Sequence, residues 1–148
     1  MRLKILALAI IVALFLSGSA LGDESIIGNV KTQKGQVSIV RQGEILESAV
    51  RMPLHEGDIM QTGAQGAVGI VLRDDTVLSL GPDSELVLAQ FAFAPREGEL
   101  SLVTRLMKGT ATFMSGIIAK LAPDNARLET PSATIGIRGT HFLVSVAP

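Results

Sequence analysis

The chain has 148 residues, 47% of them hydrophobic, with 13 basic and 14 acidic side chains, no cysteine, and phenylalanine as its sole aromatic. That composition excludes disulfides and thiol catalysis, and it offers no electrostatic footprint for nucleic acid. Without Trp or Tyr, the usual stacking platforms for bases and sugars are also missing.

In chain order, the first segment is basic at Arg2 and Lys4, apolar without interruption from Ile5 to Leu16, and small at Ser17, Gly18, Ser19 and Ala20. Basic, apolar and small in that order is the pattern of a secretory signal peptide. As a helix, the apolar run spans only about 18 Å against a hydrocarbon core of about 30 Å, so a removable leader is expected rather than an anchor. Cleavage is placed after Gly22, with Ala20 as the alternative. Residues 1–22 are then the signal and residues 23–148 one mature domain. No later apolar run approaches membrane-spanning length, and no cysteine is present for lipid attachment. The expectation is export to the periplasm or cell surface without a stable membrane anchor. Losing Arg2 and Lys4 leaves the mature chain mildly acidic.

From Asp23 onward, short alternating runs rich in Val, Ile, Leu and Thr are cut by Gly, Pro, Asn and Asp, which is the spacing of an all-β domain. Val37 and Ile39, then Val68, Ile70 and Leu72, then the leucine pairs 78/80, 86/88 and 100/102 each present one apolar face. The turns between them have mechanisms: Arg41-Gln-Gly43, Glu56-Gly-Asp58, Thr62-Gly63, Arg73-Asp-Asp75 and Gly81-Pro-Asp83. A Gly-led aliphatic repeat at Gly35, Gly66 and Gly98 suggests stacked β units, and chance is the competing explanation. The fold expected is all-β, a compact solenoid- or roll-like single domain, with a β-sandwich or partly open barrel as the alternative. Over Phe113 to Ala122 helical spacing competes, but Gly109, Gly116, Thr110 and Thr112 favour strand or an irregular turn. Near the end, Ile135 and Ile137 set one apolar phase and Phe142, Val144 and Val146 the other, so a bulge or bend is expected near Arg138-Gly139.

Chemistry is sparse. No Gly-x-Ser-x-Gly elbow, phosphate-binding loop or dinucleotide fingerprint is present, so no catalytic residue is assigned and a non-enzymatic role is expected. His55, Glu56 and Asp58, with His141 joining in space, are the densest set of metal-ligand types, but their spacing fits a charged turn better. Asp74, Asp75, Asp83 and Glu85 lack the calcium-loop pattern and are expected as solvated turn residues. No metal or cofactor is assigned. Arg138, within an aliphatic stretch, is expected to lock the fold by bonding backbone carbonyls or a carboxylate such as Asp58.

Together these segments resemble the FecR domain family, the periplasmic region of bacterial regulators of ferric-siderophore uptake, which also occurs in stand-alone exported proteins. The resemblance rests on Gly35 to Val40, on Gly57-Asp58 with Thr62-Gly63, on Val71 to Thr76, and above all on the ending Thr130-Pro131, Arg138-Gly139-Thr140 and Phe142. Asp75 stands where the family commonly has Gly. The family's regulators add a cytoplasmic sigma-factor segment and a membrane helix, which this sequence lacks, so the resemblance implies a role exercised through another envelope protein. β-strand addition at an edge formed by Phe142 to Val146 is a plausible mode. A self-associating structural protein and a small-ligand or carbohydrate module are the alternatives.

Overall fold

The computed structural model describes residues 25–138 and 141–147; the expected leader, together with Asp23, Glu24, Gly139, Thr140 and Pro148, lies outside them. The strands are β1 (Ile26–Lys34), β2 (Val37–Arg41), β3 (Glu44–Glu47), β4 (Pro53–His55), β5 (Ile59–Thr62) and β6 (Ala67–Leu72). They continue as β7 (Val77–Leu80), β8 (Glu85–Ala94), β9 (Glu99–Met114), β10 (Ala126–Glu129), β11 (Thr134–Gly136) and β12 (His141–Val146). Among the described residues one short helix, α1 (Ile117–Leu121), and two 3-10 turns at Pro95–Glu97 and Pro123–Asn125 complete the elements.

The strands form one curled sheet, and the 16-residue β9 belongs to both of its leaves. Its second half pairs with β7 on one side and β12 on the other, giving a first leaf in the order β4-β1-β6-β7-β9-β12. Its first half pairs with β8 and β10, giving a second leaf in the order β3-β2-β5-β8-β9-β10-β11. Among the described residues every pairing is antiparallel except β9 with β10. The expected all-β single domain is what forms.

The Gly-led repeat does not mark equivalent units. The strand after Gly35 lies in the second leaf, the strand after Gly66 lies in the first, and Gly98 ends the 3-10 turn between β8 and β9.

The chain crosses between leaves at Gly35-Gln36, Gly63 to Gly66, Gly81 to Ser84 and Gly109. These corners are bonded to one another. Gly63 N–H donates to Gln36 O at 2.9 Å, Asp83 N–H to Gly63 O at 3.0 Å, and Gly81 N–H to Thr110 O at 3.1 Å. Gly109 sits at φ +86°, and a Cβ there would collide with Ser84 Oγ and its backbone, so glycine is required on both counts. The corner also reverses the burial phase of β9, from Leu102, Thr104 and Leu106 before it to Ala111 and Phe113 after it.

Both leaves turn alternate aliphatic side chains inward, and the two inner faces meet in a single cluster that includes Ile39, Met60, Leu86 and Leu106 from one and Leu54, Ile70, Leu78 and Phe113 from the other. Burying each such side chain contributes about 1.5–3 kcal/mol, which is how the fold stands without disulfides.

The sequence expectation differs from the structure at one element: Ile117–Leu121 is a helix, with Ile118 and Ala119 buried. The phase change after Ile137 accompanies a change of leaf, β11 lying in the second and β12 in the first, and Gly139 of the expected bulge or bend lies outside the described residues.

Candidate functional site

The Gly57-Asp58 turn carries the chain from β4 to β5. Gly57 takes φ +89°, and its N–H donates to Leu88 O at 2.7 Å. That geometry aims the Asp58 side chain inward, where it is 1% exposed. Arg41, at the end of β2, grips it with two parallel bonds of 2.8 Å from Nε and Nη2, and the same Nη2 donates to Pro53 O. The His55 backbone N–H adds a third bond to the carboxylate at 2.9 Å. A buried acid so fully paired is a structural lock, because either partner left alone would be a costly desolvated group.

Thr62 and Gly63 work at the corners. Thr62 Oγ1 donates to Gly81 O at 2.7 Å and accepts from Ser84 N–H at 2.9 Å, while Gly63 O accepts from Gly66 and Asp83. A second buried acid, Asp74, serves the first leaf. It accepts from Thr76 N–H at 3.1 Å, Thr76 Oγ1 at 2.8 Å and Ile118 N–H at 3.2 Å, so it both closes the β6–β7 turn and holds the start of α1. The expectation that Asp74 is solvated is thus corrected, since it is fully buried. Gly116 lies so close to this turn that a Cβ would meet the Asp74 carbonyl and Thr76 nitrogen.

The terminal motif is less concentrated than its sequence suggests. Thr130 and Ala133 close a turn by mutual bonds, with Pro131 exposed between them. Phe142 stacks on Phe113 at 5.3 Å between ring centroids and 12° between planes. Arg138 does not lock the fold: its side chain is 79% exposed, and among the described residues its ion-pair partner is Asp124, 91% exposed, at 3.8 Å. The partner expected for it, Asp58, is taken by Arg41 instead. Gly139 and Thr140 lie outside the described residues.

The sets of possible metal ligands are not brought together. Glu56 Oε2 accepts from Phe91 N–H at 2.9 Å, Asp58 is held by Arg41, and His55 and His141 lie on β4 and β12, at opposite edges of the first leaf. Asp74 and Asp83 sit at opposite ends of β7. Among the described residues no three such side chains gather to hold a metal ion. A recess of about 370 Å³ beside β2 and β3 is lined by Gln33, Gln36, Ser38, Ile45 and Glu47 among others, with no aromatic wall for a sugar.

What distinguishes the surface is the contrast between leaves. On the second, Arg105 Nε meets Glu129 at 2.6 Å and Arg127 Nε meets it at 2.9 Å, and these two guanidiniums hold the Glu129 carboxyl below its ordinary pKa. Glu85 stands opposite Lys108 in the same leaf. On the first leaf, β6, β7, the end of β9 from Gly109 to Met114, and β12 contain no Asp, Glu, Lys or Arg. Their outward positions run Val71, Val77, Met114 and His141 in one row and Gly69, Ser79, Thr112 and Leu143 in the next. Met114 is 49% exposed and Leu143 67%.

The fold and these locks define a class: a small all-β scaffold whose buried acids Asp58 and Asp74 are spent on structure and whose surface sets a charged leaf against an uncharged stretch of the other, across β6, β7, the end of β9 and β12. The sequence model of the family described as FecR protein matches residues 58–148, and the chain belongs to that family. It is a regulatory signalling family whose members act with partner proteins. No curated protein and no solved structure is a significant match to the chain. Of the residues that carried the resemblance, Asp58 and Thr62-Gly63 prove to be structural joints. Arg41, which holds Asp58, went unnoticed as a partner because nothing local in the sequence links residues 17 apart on separate strands.

Proposed function

We propose that this chain is an exported, non-enzymatic interaction module of the cell envelope, which engages another envelope protein through the uncharged part of its first leaf's outer face, on β6, β7, the end of β9 and β12. The observation that carries this reading is the absence of any charged side chain across four adjacent strand segments of that face, while the opposite leaf interleaves both signs. Solvated sheet faces gain solubility from charge, and the cores of protein interfaces are depleted in it. Export is supported by the basic, apolar and small order of Met1 to Gly22. Membership of a signalling family supports a regulatory role exercised through the partner.

The test is site-specific photo-crosslinking in cells. A crosslinker at Thr112, on the uncharged face, should capture an envelope protein, whereas one at Gln61, on the second leaf, should not. Thr112→Arg should abolish capture from a neighbouring first-leaf position such as Ser79 and leave the melting temperature within about 2 °C, because the side chain points outward. Equal capture from both leaves, or none from the first, would reject the reading.

A further inference from the structure

The curled sheet has four edges, and three of them are protected. β3 has glutamates at both ends, β4 is three residues long and begins with Pro53, and β11 is three residues long. Short strands, charge and proline are the devices by which sheets avoid pairing with other chains. β12 has none of these: it is six residues, His-Phe-Leu-Val-Ser-Val, with no proline and no Asp, Glu, Lys or Arg. Among the described residues it pairs with β9 alone, which leaves the backbone donors and acceptors of its other side facing outward. Its inward side chains, Phe142, Val144 and Val146, pack against the core yet remain half-buried, unlike Leu78 or Phe113 on the neighbouring strands of the same leaf.

We infer that β12 is the seat of a homodimer, in which two copies of this chain join their first leaves by antiparallel β12–β12 pairing about a two-fold axis. In an antiparallel pair, opposite residues must share a face, so an axis through a residue is allowed and one between residues is not. Placed at Leu143, the axis sets Leu143 against the partner's Leu143, Phe142 against the partner's Val144, and His141 against the partner's Ser145. The inward pair that flanks the axis on both sides, Phe142 with Val144, is then apolar, and no two like charges meet. The isologous contact covers the half-buried inner row and makes one continuous sheet of two uncharged faces.

The experiment uses the full chain as the cell delivers it, purified alone, so that its result is independent of whether an envelope partner exists. Sedimentation should show a concentration-dependent monomer–dimer equilibrium. Because the chain has no cysteine of its own, Leu143→Cys gives one thiol, and a short bis-maleimide should link it to a second copy; Ile45→Cys on β3, at a site 73% exposed, should stay monomeric under the same treatment. Leu143→Lys should raise the dimer dissociation constant at least about tenfold, by setting two ammonium groups opposite each other. Its side chain is exposed in the monomer, so unchanged circular dichroism should confirm that the variant folds. A monomer at every concentration, equal linking at Ile45 and Leu143, or association untouched by Leu143→Lys would overturn the proposal. None of these outcomes bears on the capture of another protein at Thr112.

Discussion

The two leaves bury the same kind of side chain by the same alternation and differ almost wholly on their outer surfaces. The second leaf faces water with Arg105, Arg127 and Glu129 linked to one another and with Glu85 opposite Lys108. The first carries lysines on β1, but across β6, β7, the end of β9 and β12 it presents threonine, serine, glycine, valine, methionine, leucine and histidine. Core formation cannot account for this, since inward residues alone decide the core, and a charged outer row is compatible with it next door. The difference teaches that the two halves of one sheet answer to different demands: the second leaf to solvent, and the first, under the proposed function, to the surface of a partner.

If the leaves are one cooperative unit, breaking their shared strand should have the largest effect. Gly109 is where β9 passes from one to the other, at φ +86° and packed on Ser84. Gly109→Ala should lose about 4 kcal/mol, from the left-handed backbone together with a clash against a neighbouring main chain that cannot yield cheaply. Urea denaturation checks this. A loss below about 1 kcal/mol would mean that the corner relaxes and the leaves are less tightly joined than their bonding implies.

The next test falls on the second leaf's use of charge. Asp58→Ala removes a buried carboxylate from Arg41 and the His55 amide, and should cost about 3 kcal/mol. Arg41→Ala should cost at least as much, because it strands the buried acid, whereas Arg41, at 22% exposure, can turn toward water when Asp58 is gone. Urea midpoints for the two variants decide the order. A smaller loss for Arg41→Ala would show that the His55 amide holds Asp58 unaided.

How much of this was legible in the sequence follows from how local each cause is. The strands were legible because alternation is written residue by residue, and the turns were legible because Gly, Asp and Pro act within a few positions of themselves. Asp58 could be recognised as a turn acid, but not as the partner of Arg41. The burial of Asp74 is not legible locally, because one of the donors it satisfies, Ile118 N–H, lies 44 residues away. The same bond explains α1: Ile117, Ile118 and Leu121 had helical spacing, Gly116 argued against it, and an acid from another leaf element holds the first turn. Gly116 is required by close approach to that acid's backbone rather than by a strand bend. Arg138 was misjudged because aliphatic neighbours in sequence were read as burial, whereas the chain there is leaving one leaf for the other. The uncharged face was legible only after pairing, since its rows combine residues from four separated segments.

The smallest predicted effect sharpens the comparison by reversing a sign. Asp75 closes the β6–β7 turn at φ +66°, after Asp75 N–H has bonded Leu72 O, in the left-handed position that a three-residue hairpin loop ordinarily gives to glycine. Its neighbour Asp74 makes the buried bonds, and Asp75 itself is exposed. An L-residue in this conformation costs about 1–2 kcal/mol, less for Asp than for most, and glycine gives part of that back as unfolded-state entropy. Asp75→Gly should therefore raise stability by about 0.5–1 kcal/mol, read as a higher urea midpoint at unchanged slope. Deleting an acid would then stabilise the first leaf while Asp58→Ala destabilises the second. The two acids, 17 positions apart, would have opposite signs because one satisfies buried donors and the other occupies a backbone conformation suited to no side chain. A loss of stability on Asp75→Gly would show instead that the exposed carboxylate contributes to the turn, and that charge serves the first leaf as well.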